Sequence, residues 1–361
     1  MYAFFQEHLD NPGSPDDQEV ALFEEDELYA TPTGLLSTSI GGETVFSLQA
    51  REAQHLTDVL TENRGNPDVD LEEQKKQIKY LSGYVPPVEH KSKVFTGRYK
   101  RDGYEVEKYF ITGEGDYPIP FLIFRPNQAN GEWIVYLHPE GKAKEAGLGQ
   151  EMEWLVRNGY TVVAPDLLNM GEMGPVQYRG ESYDHNYFLL YAAMQIGRSF
   201  SGIRAGDINR LVRTIISDET VKNNEVTVWA SGLLTIDALH AATFNDRVAR
   251  VILVEPLLSY EAFALNRFYD PKWVHGLVPG ALTIYDLPDL AIQIAPRRLL
   301  YMNPVDENSD LLLPHSDRMN RSFEGVKDAF NRQEASDYLS IQTAGDTEKA
   351  REIILQWLHG P

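Results

Sequence analysis

Cysteine is missing from all 361 residues. Its absence excludes disulfide frameworks, thiolate nucleophiles and thiolate metal sites, and leaves the redox compartment open. Also missing is any apolar run of membrane-spanning length, so no membrane partner is expected. Positive charge is scarce: 33 Lys and Arg stand against 54 Asp and Glu, a formal net charge of −21. Nucleic acid and anionic membranes demand a basic face, and this chain offers none. Histidine pairs at metal spacing and a phosphate-cradling glycine loop are lacking too, so neither metal nor cofactor is expected. The opening MYAFFQEHLDNPG is too short and too acidic for a signal peptide. A complete chain would accordingly be cytoplasmic, and a piece of a longer secreted protein would be exported.

What is present suffices for a packed core, since 42% of residues are hydrophobic and 11% aromatic. Residues 1–85 differ from the rest. They are rich in acidic residues and turn formers (NPGSPDDQE, TPTG, GGET, NRGNPD) and carry helical patterns over 52–62 and 71–81, closed by Pro86-Pro87. They read as an N-terminal extension, with the main domain over 86–361. The opening MYAFFQEHLDNPG and the closing EIILQWLHGP share an amphipathic helix followed by a Gly/Pro stop. That likeness suggests that the chain begins on the last helix of a related, preceding domain.

From residue 104 the pattern alternates between strands and helices. YEVEKYFI and IPFLIF form a hairpin across TGEGDYP, a turn and not a nucleotide fingerprint because no helix follows it. The apolar runs WIVYLH, YTVVAP, VTVW, RVILVEP, RLLYM and YLSIQ predict further strands. Helices are expected over 148–157, 187–216, 233–243, 319–333 and 347–358. Short apolar runs without alternation imply strands buried on both faces of a mostly parallel sheet flanked by helices, an α/β fold.

Several segments, in this order, resemble the α/β-hydrolase superfamily, nearest to acetyl-xylan esterase-like carbohydrate esterases. WIVYLHPEGK stands where the superfamily has a strand ending in His-Gly and its oxyanion loop, here His138, Pro139, Glu140 and Gly141. LVRNGYTVVAPDLLNMGEMG resembles the block that follows it. DINRLVRTIISDETVKNNEVTVWASGLLTIDALHAA resembles the long helix leading into the nucleophile elbow, and APRRLLYMNPVDENSD the strand that carries the triad acid. The resemblance implies an ester hydrolase acting on acetylated carbohydrate, with a Ser-His-Asp triad.

The elbow departs from that expectation. The superfamily pattern is Gly-x-Ser-x-Gly, and anchoring on Ala238-Leu239 sets Ala230, Gly232 and Leu234 at its three defining positions. The apex then carries no nucleophile. Ser231 is one residue early, and a one-residue shift at a strand end turns a side chain to the other face. Asp306 stands where the resemblance puts the triad acid. The triad histidine belongs in the loop TAGDTEKA, which offers Asp346. His315, in PHSD, is the nearest substitute. Ser259 reads as a helix N-cap, and His138 as structural.

Asp306-x-Asn308-x-Asp310, with Asp317 in the twelfth place, resembles the start of a calcium loop. Leu311 stands where its obligatory glycine belongs, so the turn fails. RGESYDHNYFLLYAA (179–193) offers aromatics that either stack on sugars above the sheet or pack a helix on the core. Two function classes follow. One is an α/β-hydrolase-fold module without a working triad, binding an acetylated carbohydrate or other small ligand or supporting a tandem hydrolase domain. The other is an active ester hydrolase using Ser231, His315 and Asp306.

Overall fold

The computed structural model describes residues 1–17, 19–64, 66, 68–87, 92–174 and 185–360, without the side chains of 185–187. The chain forms two compact units, Met1–Gln49 and Ala50–Pro361. The first contains α1 (Tyr2–His8) and α2 (Leu36–Ser39), neither of which buries a residue. Phe4, Leu22, Phe23 and Leu36 are all exposed. Residues 1–49 hold ten Asp and Glu and no Lys or Arg. Such a segment has too little patterned apolar surface to offset the entropy of ordering it into a core.

Helix α3 (Val45–Arg64) runs into the second unit, where α4 (Leu71–Ser82) follows it. Asp70 caps α4 by accepting hydrogen bonds from the N–H groups of Glu72 and Glu73, and Gly83 closes it in the left-handed conformation. The sheet of this unit has nine strands among the described residues. They are β1 (Val94–Arg101), β2 (Tyr104–Thr112), β3 (Pro118–Pro126), β4 (Trp133–Leu137), β5 (Thr161–Pro165), β6 (Val226–Ser231), β7 (Val248–Val254), β8 (Arg298–Met302) and β9 (Leu339–Gln342). Their order is β1-β2-β3-β5-β4-β6-β7-β8-β9. Strands β1 to β3 form an antiparallel meander joined antiparallel to β5, and from β5 to β9 all neighbours are parallel.

The helices of this unit are α5 (Glu151–Arg157), α6 (His185–Gln195), α7 (Phe200–Ile215), α8 (Leu234–Thr243), α9 (Glu261–Ala264), α10 (Leu287–Ile294), α11 (Asp317–Arg332) and α12 (Thr347–His359). They divide the core in two. One sheet face, with Val228, Ala230, Leu253 and Tyr301, packs on α7, α8, α10 and α11. The other, with Tyr136, Trp229, Ile252 and Leu300, packs on α5 and α12. Strands covered on both faces read in sequence as unbroken apolar runs, which is why the inner strands were predictable.

Three elements depart from the sequence expectation. The single helix expected over 187–216 is two, α6 and α7. The chain turns at Gly197 (φ +70°), and Ser199 restarts the helix by accepting from the Gly202 N–H at 3.0 Å. Strand β1 was not expected, because VFTGRYKR is an edge strand with almost no buried side chain. Helix α10 was not expected either. Its signal is a capping box, Asp286 with Asp289, in which the Asp286 N–H donates to Asp289 Oδ2 at 2.7 Å.

Candidate functional site

Strand β6 ends between β4 and β7, and the chain turns there into α8. The Gly232 N–H donates to the Val254 carbonyl at 2.8 Å, and Thr235 Oγ1 donates to the Gly232 carbonyl at 2.6 Å. At the apex Gly232 has φ +53°, the left-handed region that a side chain rarely enters. A Cβ built there would meet only Pro139 Cγ, at an ordinary 3.6 Å. The turn thus has an elbow's left-handed apex and room for a side chain, and its residue is a glycine. Ala230 and Leu234, at the flanking positions, are both buried in the core beneath.

Ser231 follows strand alternation. Trp229 faces α5 and α12 and Ala230 faces α8, so Ser231 takes the side of Trp229. It lies against the Tyr136 phenol, whose ionisation burial pushes far upward. Both line a cleft of about 540 Å³ at the carboxyl ends of β4, β6, β7, β8 and β9. Open parallel sheets offer their ligand crevices at this edge.

The oxyanion-loop segment is held from below. Asp166 accepts from the Lys142 N–H at 2.7 Å and the Glu172 N–H at 2.9 Å, and pairs with Lys142 Nζ. The loop passes so close that a Cβ on Gly141 (φ +88°) would sit 2.4 Å from Asp166 Oδ1. His138 Nδ1 accepts from the Glu140 N–H at 3.1 Å, which fixes the neutral tautomer with hydrogen on Nε2. Burial lowers the His138 pKa, so the ring stays neutral near pH 7. Pro139 has no N–H to offer a bound anion.

The remaining triad candidates lie as follows. Asp306 Oδ1 accepts from the N–H groups of Asn308 and Asp310, both at 2.9 Å, so this carboxylate shapes its own turn. His315 is exposed, with φ +63°, and its carbonyl accepts from Asn320 Nδ2 at 3.1 Å. Neither Asp306 nor His315 lines the cleft around Ser231, whereas His138 and Asp346 do. Asp346 is the N-cap of α12, accepting from the Lys349 N–H at 2.8 Å. Ser259 Oγ accepts from the Glu261 N–H at 3.0 Å at the start of α9 and donates to Asp286. Of the aromatic stretch 179–193, residues 179–184 lie outside the described residues. Within the rest, Leu190 and Ala193 pack on Phe200 while Phe188 and Tyr191 are exposed.

Sequence reasoning did not single out Tyr136, Glu145, Glu151, Trp229, Glu255, Asn303 or Arg351, which also line the cleft. Glu255 had a usable signal. It is the first residue after a parallel strand, at the edge where ligands sit, and it takes φ +53° with its N–H donating to the Met302 carbonyl at 2.8 Å. Arg351 bonds Glu151 Oε2 through Nε at 3.0 Å and Nη2 at 2.9 Å, a pairing across the chain that no local pattern reveals.

No protein-family model matches the chain, and no curated protein matches it in sequence. Solved structures do match. A Bacteroides fragilis protein assigned as an acetyl xylan esterase superposes with a TM-score of 0.65 at 15% identity, over 85% of this chain and 84% of that one. A glucuronoyl esterase from Solibacter usitatus gives 0.55 at 14%, over 80% and 90%. An acetyl xylan esterase from Paenibacillus sp. R4 gives 0.53 at 16%, over 81% and 94%. At such identities the likeness is one of fold. The chain has the α/β-hydrolase fold, in the arrangement found in acetyl xylan esterases and other carbohydrate esterases. Among the described residues no helix is long and apolar enough to cross a membrane.

Proposed function

We propose that this chain is a non-catalytic α/β-hydrolase module, residues 86–361 with an extension over 1–85, that binds a small ligand or supports a partner domain such as a tandem hydrolase. One observation carries the reading: the left-handed apex is Gly232, and the adjacent hydroxyl, on Ser231, is turned to the opposite face of the sheet against Tyr136. The position of the triad histidine holds Asp346, engaged as a helix cap. Nucleophile and base act as one unit, and loss of either typically costs about 10⁶ in turnover. The fold keeps the crevice and the loop pinned by Asp166, so a binding role survives the loss of chemistry. The carbohydrate esterases that share the fold make an acetylated carbohydrate a natural first ligand to test.

The competing reading is an ester hydrolase that uses Ser231. What favours it is that Ser231 and His138 line one cleft, with the Glu255 carboxylate close enough to act on His138 electrostatically. Turnover of p-nitrophenyl acetate and acetylated xylan separates the two. The module reading expects none above buffer. Activity abolished by Ser231→Ala overturns it and establishes the esterase.

A further inference from the structure

The first unit holds a stretch that its own folding leaves unused. Glu19, Val20, Ala21, Leu22 and Phe23 have no regular secondary structure, and none of the five makes a hydrogen bond or ion pair among the described residues. Val20, Leu22 and Phe23 are 73%, 90% and 70% exposed, and Ala21 is exposed between them. Four consecutive exposed apolar residues are unfavourable in water unless something covers them. Acids flank the run on both sides: residues 16–27 hold seven Asp and Glu and no Lys or Arg.

The second unit carries the complementary feature. Strand β1 is the outer strand of the sheet and pairs with β2 alone, so its outward N–H and C=O groups meet no other strand among the described residues. Residues 92–101 hold four Lys and Arg and no Asp or Glu, in a chain of net charge −21. Lys100 and Arg101 have no ion pair among the described residues, while Arg98 pairs with Glu105 at 3.2 Å. The register with β2 slips between Phe95 and Gly97 and runs regularly from Gly97 to Arg101. Basic residues on an open edge keep two copies of that edge apart, because like charges would face each other. Toward an acidic strand the same residues attract. The charges on β1 thus reject a like edge and select an unlike one.

We propose that β1 takes up the run Glu19–Phe23 of a second copy of this chain as an added strand, and that the exchange is reciprocal, giving a dimer with two such pairings. The unused backbone groups of the run and of the edge supply the ladder, and the acids that flank the run meet Arg98, Lys100 and Arg101. Acids stand both before and after the run, so either strand direction brings one to the basic end of β1. In an added strand Val20 and Leu22 turn to one face and Ala21 and Phe23 to the other, where the exposed Phe95 and Tyr99 of β1 offer apolar surface. Closing two contacts into one dimer lets each reinforce the other. The inference is independent of the cleft and goes beyond the role proposed for it.

The test is sedimentation velocity of the full chain over a range of concentration and salt. A concentration-dependent dimer is expected, weakened about tenfold or more between about 0.05 and 0.5 M salt. One variant reverses the edge, Lys100→Glu with Arg101→Glu, and another reverses the run's flanks, Glu19→Lys with Glu24→Lys. Each alone should be monomeric, and a mixture of the two should form a heterodimer, because each then offers what the other lacks. Ala21→Pro removes an N–H from the run at unchanged charge and should weaken the dimer, which separates strand pairing from general attraction. All these positions are exposed, and urea midpoints close to that of the parent chain show that each variant is folded. A monomer at every concentration, a dimer indifferent to salt or to Ala21→Pro, a dimer of either charge-reversed chain alone, or a mixture that stays monomeric overturns the proposal. Ester turnover dependent on Ser231 would overturn the non-catalytic reading and leave this dimer standing.

Discussion

The elbow joins two regions that differ in how completely their polar groups are used. Beneath it, around α7, α8 and α10, most buried polar groups are matched, Asp237 Oδ1 being an exception among the described residues. His240 bonds the Ile236 carbonyl and the Tyr285 hydroxyl, both at 2.8 Å. Asn209 Nδ2 donates to Tyr84 Oη and the Ala241 carbonyl. Arg297 donates to the carbonyls of Asn245, Val248 and Ala242. Above it, at the carboxyl edge, Glu145 and Glu255 lack ion pairs among the described residues, and the turn after β6 holds a glycine. The frame is what burial demands of any sequence with this fold, because unmatched polar groups there are costly. The rim is free of that demand, so the rim is where function is written.

The largest effect that would sharpen this contrast is in the frame. Arg204 and Asp237 are 1% and 0% exposed and pair at 3.4 Å, with burial opposing the charged form of both. Asp237→Ala strands a buried guanidinium and should cost about 3–5 kcal/mol in urea unfolding. Combining Asp237→Leu with Arg204→Met should recover most of the loss. An equal loss in the double variant would show that the frame needs the charges themselves.

Next in size is a pH effect. A carbonyl can only accept, so His240 Nδ1 carries the hydrogen and Nε2 accepts from Tyr285, the neutral form. Burial pushes the His240 pKa down to about 4. The unfolded chain takes up its proton near 6.5, the folded chain only near 4, so stability falls as pH drops through this window. The loss amounts to about 3 kcal/mol by pH 4. Asp207, pushed up to about 6 by burial, contributes with the opposite sign, because the folded chain there holds the proton. The measurement is therefore the difference in stability between the parent chain and His240→Gln, in which the Asp207 contribution cancels. A difference independent of pH between 4 and 6.5 would show that His240 is already charged.

The same contrast explains what was legible in the sequence. The inner strands were readable because burial on both faces leaves no polar residue to interrupt them. Gly232 was placed at the turn's apex because Ala238-Leu239 anchors the register of α8, and Gly232 there has φ +53°. The cleft was not readable. Glu145 and Glu151 lie six residues apart, before and at the start of α5, but Arg351 comes from α12, 200 residues further along the chain, and the fold brings it to them. Trp229 looked like one more apolar strand residue, and nothing in VTVWAS says that it lines the cleft.

A smaller effect tests whether the rim keeps its shape by design. Gly141→Ala places a Cβ 2.4 Å from Asp166 Oδ1 and 2.8 Å from Gly171 Cα, at φ +88°. It should destabilise the chain by about 1–3 kcal/mol and weaken any ligand of the cleft by disturbing the His138 loop.

The smallest change is the most direct attempt to break the comparison. Gly232→Ser puts a hydroxyl at the apex, where the only near contact is Pro139, so the cost is the left-handed backbone alone, about 1 kcal/mol. By itself it should give no ester turnover, because Asp346 cannot take the serine's proton as an imidazole would. Adding Asp346→His supplies an imidazole from the loop after β9, at the price of the cap on Lys349. If the frame beneath is a complete hydrolase scaffold, the pair should turn over p-nitrophenyl acetate measurably faster than either single variant. If it does not, the missing donor at Pro139 becomes the next suspect, since a nucleophile and a base without an oxyanion site leave the developing charge unstabilised.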